Sequence, residues 1–338
     1  MKTVCFGEIM LRLSPPGYER ITQAKSFDAY YGGAEANVAV GLAELGAQSV
    51  FITRLPENDV GQAAVCELRR WGVDTRHIVR AGERIGIYFC ERGASQRPPK
   101  VIYDRAGSAF AGSRPDDYSW DAILEGAGWL HFSGITPALG DGIAEICSQA
   151  IAAARQRGIA VSCDVNYRRA LWPAEKAGAV LANLLSRVDV CIINEEHASL
   201  LFGIREEKPG GGDEISFDTA AQVAEKMSRR FGCAKTAVTI RRTLSASDNR
   251  FAAVLYDMTQ NRAFSSRIYD IHIVDRVGGG DAFCAGLLYG LQTGMPHGDA
   301  VEFAAASCAL KHTVEGDTSH ASESEIRALA FGAGRSER

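Results

Sequence analysis

The sequence has no paired-cysteine motif, no excess of positive charge and no long apolar run, and each absence excludes a class of protein. Its nine cysteines are odd in number, scattered from Cys5 to Cys308, and include no Cys-x-x-Cys pair. That distribution argues against a disulfide framework or a zinc site and fits separate buried thiols in a reducing compartment. Lys and Arg total 37 against 41 Asp and Glu, a net charge of -4. A general nucleic-acid or anionic-membrane surface is therefore not expected, and positive charge for an anionic ligand has to be local. No stretch approaches the length of a membrane span. Met1–Gly7 leads into a short apolar strand rather than a signal peptide, so the expected location is cytoplasmic. Gly-x-x-x-x-Gly-Lys-Ser/Thr, Gly-x-Ser-x-Gly and His-Glu-x-x-His are all absent, which weakens P-loop, serine-hydrolase and zincin readings.

Alternation is what the sequence does have. Apolar strand-like runs at Thr3–Phe6, Ser49–Thr53, Trp129–Phe132, Ile159–Cys163, Val188–Ile193 and Thr236–Ile240 are separated by amphipathic stretches. The latter read as helices at Glu35–Leu45, Gly61–Trp71, Gly142–Gln156, Lys176–Leu185 and Thr219–Phe231. Continuous apolar strands alternating with helices predict an α/β fold, doubly wound, with a mainly parallel central sheet and helices on both faces. Right-handed crossovers then place the ligand-facing loops at the carboxyl ends of the strands. Two stretches, 10–32 and 84–105, alternate like strands without helices between them. They predict a small antiparallel sheet acting as a lid over a core formed by 1–9, 33–83 and 106–338. An exposed edge on that sheet would invite a second subunit, that is, a homo-oligomer. Lys208–Asp213 is glycine-rich but lacks a preceding apolar strand, so it reads as a surface excursion.

The most informative segment is Asp275-Arg-Val-Gly-Gly-Gly-Asp281 with the apolar-periodic stretch after it. Three glycines allow a tight turn and close backbone approach to a ligand. Their N–H groups would sit at a helix N-terminus, a site for anions. Asp281 at that point fits two roles equally, a helix cap or a base that accepts a hydroxyl proton. Asp164-Val-Asn166-Tyr-Arg168, Asn194-Glu-Glu196 and Arg241-Arg242 likewise stand just past predicted strands, as the glycine turn stands past a predicted strand Ile271–Val274, and four such positions together point to one crevice. Arginines facing a helix N-terminus suit polyphosphate, and carboxylates with amides suit a hydrated magnesium ion. Such a set predicts phosphoryl transfer, which depends on alignment, charge neutralisation and a base.

Gly32-Gly-Ala-Glu-Ala-Asn37, Asp164-Val-Asn-Tyr-Arg168, Asn194-Glu-Glu196 and Asp275–Asp281 together resemble the ribokinase-like (PfkB) sugar kinase family. Within it, His131-Phe-Ser-Gly-Ile-Thr-Pro137, Ile85-Gly-Ile-Tyr88 and Val101-Ile-Tyr-Asp-Arg105 resemble the kinases of 2-keto-3-deoxygluconate, over about Lys2 to Phe331. The resemblance implies Asp281 as catalytic base and Gly278, Gly279 and Gly280 as anion hole. It implies that Gly33, Ala34 and Asn37 hold sugar hydroxyls, that Tyr88, Tyr103, Arg105 and Arg168 surround the keto-acid end, and that Asp317 lies near the substrate. Asn166, Arg168, Asn194 and Arg241 match positions near the phosphates of ATP and Mg2+, with Gly278 and Gly280 in contact with the same phosphates. The metal would be held through water by Asn194 and Glu196. A monovalent cation such as K+ belongs to the same set of expectations. The sequence departs from the family's pattern at Gly279 (usually Ala), His197 (Glu), Arg241 (Gly) and Arg276 (Thr), and the change at 197 passes the magnesium role to Glu195 or Glu196.

The expected activity is ATP-dependent phosphorylation of 2-keto-3-deoxygluconate at its terminal hydroxyl. Planar, permanently charged arginines suit its carboxylate. A structural ion pair of Arg105 or Arg168 with Asp104 or Asp164 is the competing reading. The alternatives for the whole chain are a fructose- or ribose-type kinase and a sugar-binding sensor without turnover.

Overall fold

A computed structural model describes residues 1–205 and 215–332. A nine-stranded sheet runs, edge to edge, through Arg262–Ser265, Asp248–Asp257, Lys235–Thr243, Val190–Asn194, Ala160–Asp164, Ala127–Ser133, Lys2–Phe6 and Gln48–Ile52, with Tyr269–His272 paired beside Asp248–Asp257. From Lys235–Thr243 to Gln48–Ile52 every neighbouring pair is parallel. Side chains of one strand leave to opposite faces, as the pleat requires. Cys191 and Ile193 enter one apolar core, and Val190 and Ile192 enter the other. Helices Asp141–Gln156, Ala174–Leu185 and Phe217–Phe231 close the first core. Helices Ala34–Glu44, Asp59–Arg70, Gly279–Gln292 and His297–Lys311 close the second. The doubly wound α/β expectation is met.

Two expectations need correction. The strand before the glycine turn is Tyr269–His272, not Ile271–Val274, and it runs antiparallel to Asp248–Asp257. Residues 248–272 form an antiparallel extension of the sheet. The small sheet is also mixed rather than antiparallel, with order Asp28–Gly32, Met10–Ser14, Ile87–Glu91, Lys100–Asp104. Each outer pair is an antiparallel hairpin, but the inner pair is parallel, Leu11 opposite Ile87 and Arg12 opposite Tyr88. The chain returns to the core between the two excursions, through helices Ala34–Glu44 and Asp59–Arg70. Both inner strands therefore leave the core in the same direction. Every residue of the edge strand Lys100–Asp104 is exposed.

All nine cysteines are unpaired, and all but Cys66 are buried. Among the described residues no helix is long and apolar enough to cross a membrane. Lys208–Asp213 lies outside the described residues.

Candidate active site

Helix Gly279–Gln292 begins at Gly278, whose φ of 81° lies in the left-handed region that glycine adopts without strain. A Cβ there would stand 1.7 Å from the carbonyl oxygen of Asp317, so both dihedral and space demand glycine. At Gly279 a Cβ would strike the His312 ring at 2.1 Å. The glycine that replaces the usual Ala thus makes room for His312. That ring is buried and neutral, its Nδ1 donating to the Cys308 carbonyl at 2.7 Å. Gly280 has nothing within 4 Å of such an atom and faces open space. The first helical bond runs from Ala282 N–H to Gly278 O at 2.8 Å. The amides of 279–281 precede it and are left without a helical acceptor at the positive end of the helix dipole, an arrangement that suits an anion.

Asp281 stands on the first turn of this helix with part of its surface open to the crevice. Asn37 Nδ2 donates to its Oδ2 at 2.6 Å, and Asn37 Oδ1 accepts from Gly33 N–H at 3.3 Å. Asn37, expected to hold sugar hydroxyls, thus also holds the Asp281 carboxylate. The surrounding protein pushes the Asp281 carboxyl up to about 7, chiefly by burial and further by Asp164 and Glu35, against the lowering effects of Asn37 and Arg168. A carboxylate poised near neutrality suits a general base. A base works only when ionised, so turnover should rise with pH through about 7 and then level. Removing the Asn37 bond in Asn37→Ala should displace that acid limb upward, because the bond stabilises the charged form. A kcat–pH profile of both proteins checks this; superimposed limbs would detach Asn37 from the base.

The other strand-end residues converge here as well. Asp164, also pushed up to about 7 by burial, accepts from Asn166 N–H at 3.2 Å, and Asn166 holds a left-handed φ of 36°. Arg168 is exposed and donates to the Tyr167 carbonyl at 3.3 Å. Asn194 caps helix Glu195–Phe202, accepting from His197 N–H at 2.7 Å. Burial, Arg168 and Arg241 hold His197 down to about 4, so it is neutral where the family's pattern has Glu. Burial, and after it Arg241, lowers Arg276 as well. Arg168, Arg241 and Arg276 thus share a neighbourhood, the local positive wall that the net charge of -4 required. Glu196 is exposed, whereas Glu195 is half-buried, 3.7 Å from Arg242. Its Oε1 is buried without a hydrogen-bond partner among the described residues. That orphaned oxygen makes Glu195, rather than Glu196, the better fit to a hydrated magnesium ion. Among the described residues no group of three or more His, Cys, Asp or Glu could hold a metal.

On the side of the small sheet, Arg105 pairs with neither Asp104 nor Asp164. Its Nε donates to Glu8 Oε2 at 3.0 Å and its Nη2 to the same oxygen, while Ser108 donates to Glu8 Oε1. Asp104 pairs with Arg84 instead. The Arg105 guanidinium also lies 5.7 Å from the Tyr103 ring centre, and Tyr103 is 5.8 Å from Tyr88. Tyr88 is buried and its hydroxyl donates to Asp317, itself buried. Gly33 precedes Ala34, the first residue of helix Ala34–Glu44, and a Cβ on it would lie 1.9 Å from the Glu8 carbonyl.

Glu8, Arg12, Glu35 and Lys311 are site neighbours that sequence reasoning missed. Glu35 is fully buried and accepts from Ser133 N–H at 2.8 Å and Thr136 Oγ1 at 2.6 Å, fixing the His131–Pro137 segment. A charged residue alternating with apolar ones in Met10-Leu-Arg-Leu-Ser14 was the one available signal for Arg12.

Residues 1–324 match the family described as pfkB family carbohydrate kinase. The chain belongs to the PfkB family. It is a sugar kinase, and kinases of this family use ATP. It is 32% identical to a 2-dehydro-3-deoxygalactonokinase of Haloferax volcanii, over 97% of this chain and 96% of that one. A crystal structure of 2-dehydro-3-deoxygluconokinase from Thermotoga maritima superposes with a TM-score of 0.94 at 47% identity, covering 98% of both chains. A putative ribokinase II of E. coli, crystallised with ATP and Mg2+, shares the fold at a TM-score of 0.79 and 20% identity, over 97% and 98% of the two chains.

Proposed function

We propose that this PfkB kinase transfers the γ-phosphoryl group of ATP to the terminal 6-hydroxyl of 2-keto-3-deoxygluconate (2-dehydro-3-deoxygluconate), giving 2-keto-3-deoxy-6-phosphogluconate. The observation that carries the reading is Asp281, held by Asn37 at the N-terminus of Gly279–Gln292 and raised to about 7. In this reading Asp281 accepts the hydroxyl proton as the oxygen attacks. The amides at Gly278–Gly280 and the Arg168–Arg241 side of the crevice offset charge on the transferring group. Glu195 and Asn194 would hold the hydrated magnesium, which would supply neutralisation of phosphate charge. The lid strands exclude water from the closed site.

For the substrate's carboxylate, the two arginines are not equivalent. Glu8 takes the Nε and one Nη2 donor of Arg105, leaving three of five donors. Glu8 thus aims Arg105 while leaving it able to bind an anion. Arg168 has only the Tyr167 carbonyl as its hydrogen-bond partner among the described residues, and it carries the fuller fork. The relatives named for the gluconate and galactonate forms differ in the sugar acid, so both belong in the test.

ADP release should be measured over 2-keto-3-deoxygluconate, 2-keto-3-deoxygalactonate, fructose and ribose. Turnover of the keto acids well above the neutral sugars supports the proposal; a preference for fructose or ribose, or no turnover of any, replaces it with the corresponding alternative. Arg105→Lys and Arg168→Lys then locate the carboxylate. Each lost charge-assisted bond is worth roughly 1.5–3 kcal/mol, or about 10- to 150-fold in KM for the keto acid. Activity on a neutral sugar should barely move. Arg168→Lys should also raise KM for ATP, whereas Arg105→Lys should not. Equal losses on acidic and neutral sugars at Arg105 would reduce it to the structural partner of Glu8.

A further inference from the structure

Arg12, on the lid strand Met10–Ser14, is fully buried. Each of its three guanidinium nitrogens donates to a side-chain oxygen. Nε donates to Ser14 Oγ at 2.7 Å, Nη1 to Asp317 Oδ1 at 2.6 Å and Nη2 to Asp275 Oδ2 at 2.6 Å. Its two carboxylate partners flank the glycine turn from opposite sides. Asp275 Oδ1 accepts from Val277 N–H at 3.1 Å, one residue before Gly278, and Asp275 Oδ2 accepts from Gly316 N–H at 3.2 Å. The Asp317 carbonyl packs on Gly278 so closely that no Cβ fits between them. The next lid strand joins the same carboxylate, since Tyr88 donates to Asp317 Oδ2. Lys311 is fully buried below the turn and donates to the Val314 carbonyl at 3.2 Å. A guanidinium fork that bridges two carboxylates fixes their separation, which a single ammonium cannot do.

We propose that Arg12 is a positioning residue that ties the seating of the lid to the shape of the anion hole, so that the Gly278–Gly280 amides reach their working geometry only when the lid strand is in place. The inference rests on the reading of 278–281 as the anion hole. Buried pairs of this kind add little net stability over an apolar replacement, so a purely structural role would not require the fork. Misplacing the amides by about 1 Å would cost on the order of 10²-fold in rate.

The test uses Arg12→Lys, which keeps the charge and loses the fork, with Arg12→Met beside it, and the sugar that wild-type protein turns over fastest. Arg12→Lys should lower kcat by about 10²-fold with both KM values little changed. Hydrogen exchange supplies a second readout. In wild-type protein, sugar should slow exchange in both 84–105 and 276–281. In Arg12→Lys the first segment should still respond while the second does not. If Arg12→Met fails to fold, Arg12→Lys alone decides. A wild-type kcat in folded Arg12→Lys, or joint protection of both segments as in the wild type, overturns the proposal. A loss of kcat that only mirrors the loss of folded protein does the same. Asp281→Asn and Gly280→Ala run in parallel keep the underlying reading separate: full activity in both removes the reading of 278–281 as the catalytic turn, whereas an inactive Asp281→Asn beside an active Arg12→Lys removes only the role of Arg12.

Discussion

Asp281→Asn should abolish most turnover while leaving both substrates bound. Asn is isosteric and can still accept from Asn37, whose Nδ2 lies 2.6 Å from the Asp281 carboxylate, so the turn has no reason to move. What is lost is the capacity to take a proton. Loss of a general base costs about 10²–10⁴-fold in rate, or roughly 3–5 kcal/mol of transition-state stabilisation. Removing a charge that sits near Asp164 and Glu35 also relieves mutual repulsion, so binding of anionic ATP should hold or tighten. Steady-state kinetics with calorimetric ATP binding checks both halves. A variant with near wild-type kcat would reduce Asp281 to the helix-capping role that its sequence position equally allowed.

The arrangement around Asp281 was only partly legible in the sequence, for identifiable reasons. Period-two and period-3.6 patterns carry local information, and they placed the parallel strands and the helices between them to within a few residues. The turn at 278–280 was legible because glycine is the residue of positive φ and close approach, and Gly278 uses both. Long-range pairings leave no such trace. Nothing local distinguishes Glu8, which captures Arg105 from 97 residues away, from a solvated acid after a strand. Arg12 lies 263 residues from Asp275 and 305 from Asp317, and only the fold brings them together. The antiparallel strands at 248–265 were missed because they are poor in β-branched residues, with Ala252, Ala253 and Ala263 where a core strand would carry Val or Ile. The parallel inner pair of the small sheet follows from topology rather than from its residues.

The pair Gly278→Ala and Gly280→Ala should separate what the turn needs for folding from what it needs for catalysis. At Gly278 an added methyl meets a left-handed φ of 81° and a backbone oxygen 1.7 Å away. The dihedral costs about 1–2 kcal/mol. The clash adds about 1–3 kcal/mol of overpacking, because a main-chain carbonyl cannot swing aside as a side chain can. Gly278→Ala should therefore lose several degrees of Tm as well as activity. Gly280 lies in the helix, and an atom added there meets nothing within 4 Å. Ala is the better helix former by about 0.8–1.0 kcal/mol, so Gly280→Ala should keep or raise Tm. Its methyl would nevertheless project into the open space at the helix N-terminus that the proposed mechanism gives to the transferring phosphoryl group. Differential scanning calorimetry beside kcat and the KM for ATP reads both effects. A stable Gly280→Ala with lost activity means that the space belongs to substrate. A stable and fully active Gly280→Ala would mean that the phosphoryl group passes elsewhere, and the anion hole would then shrink to the amides on either side of Gly280.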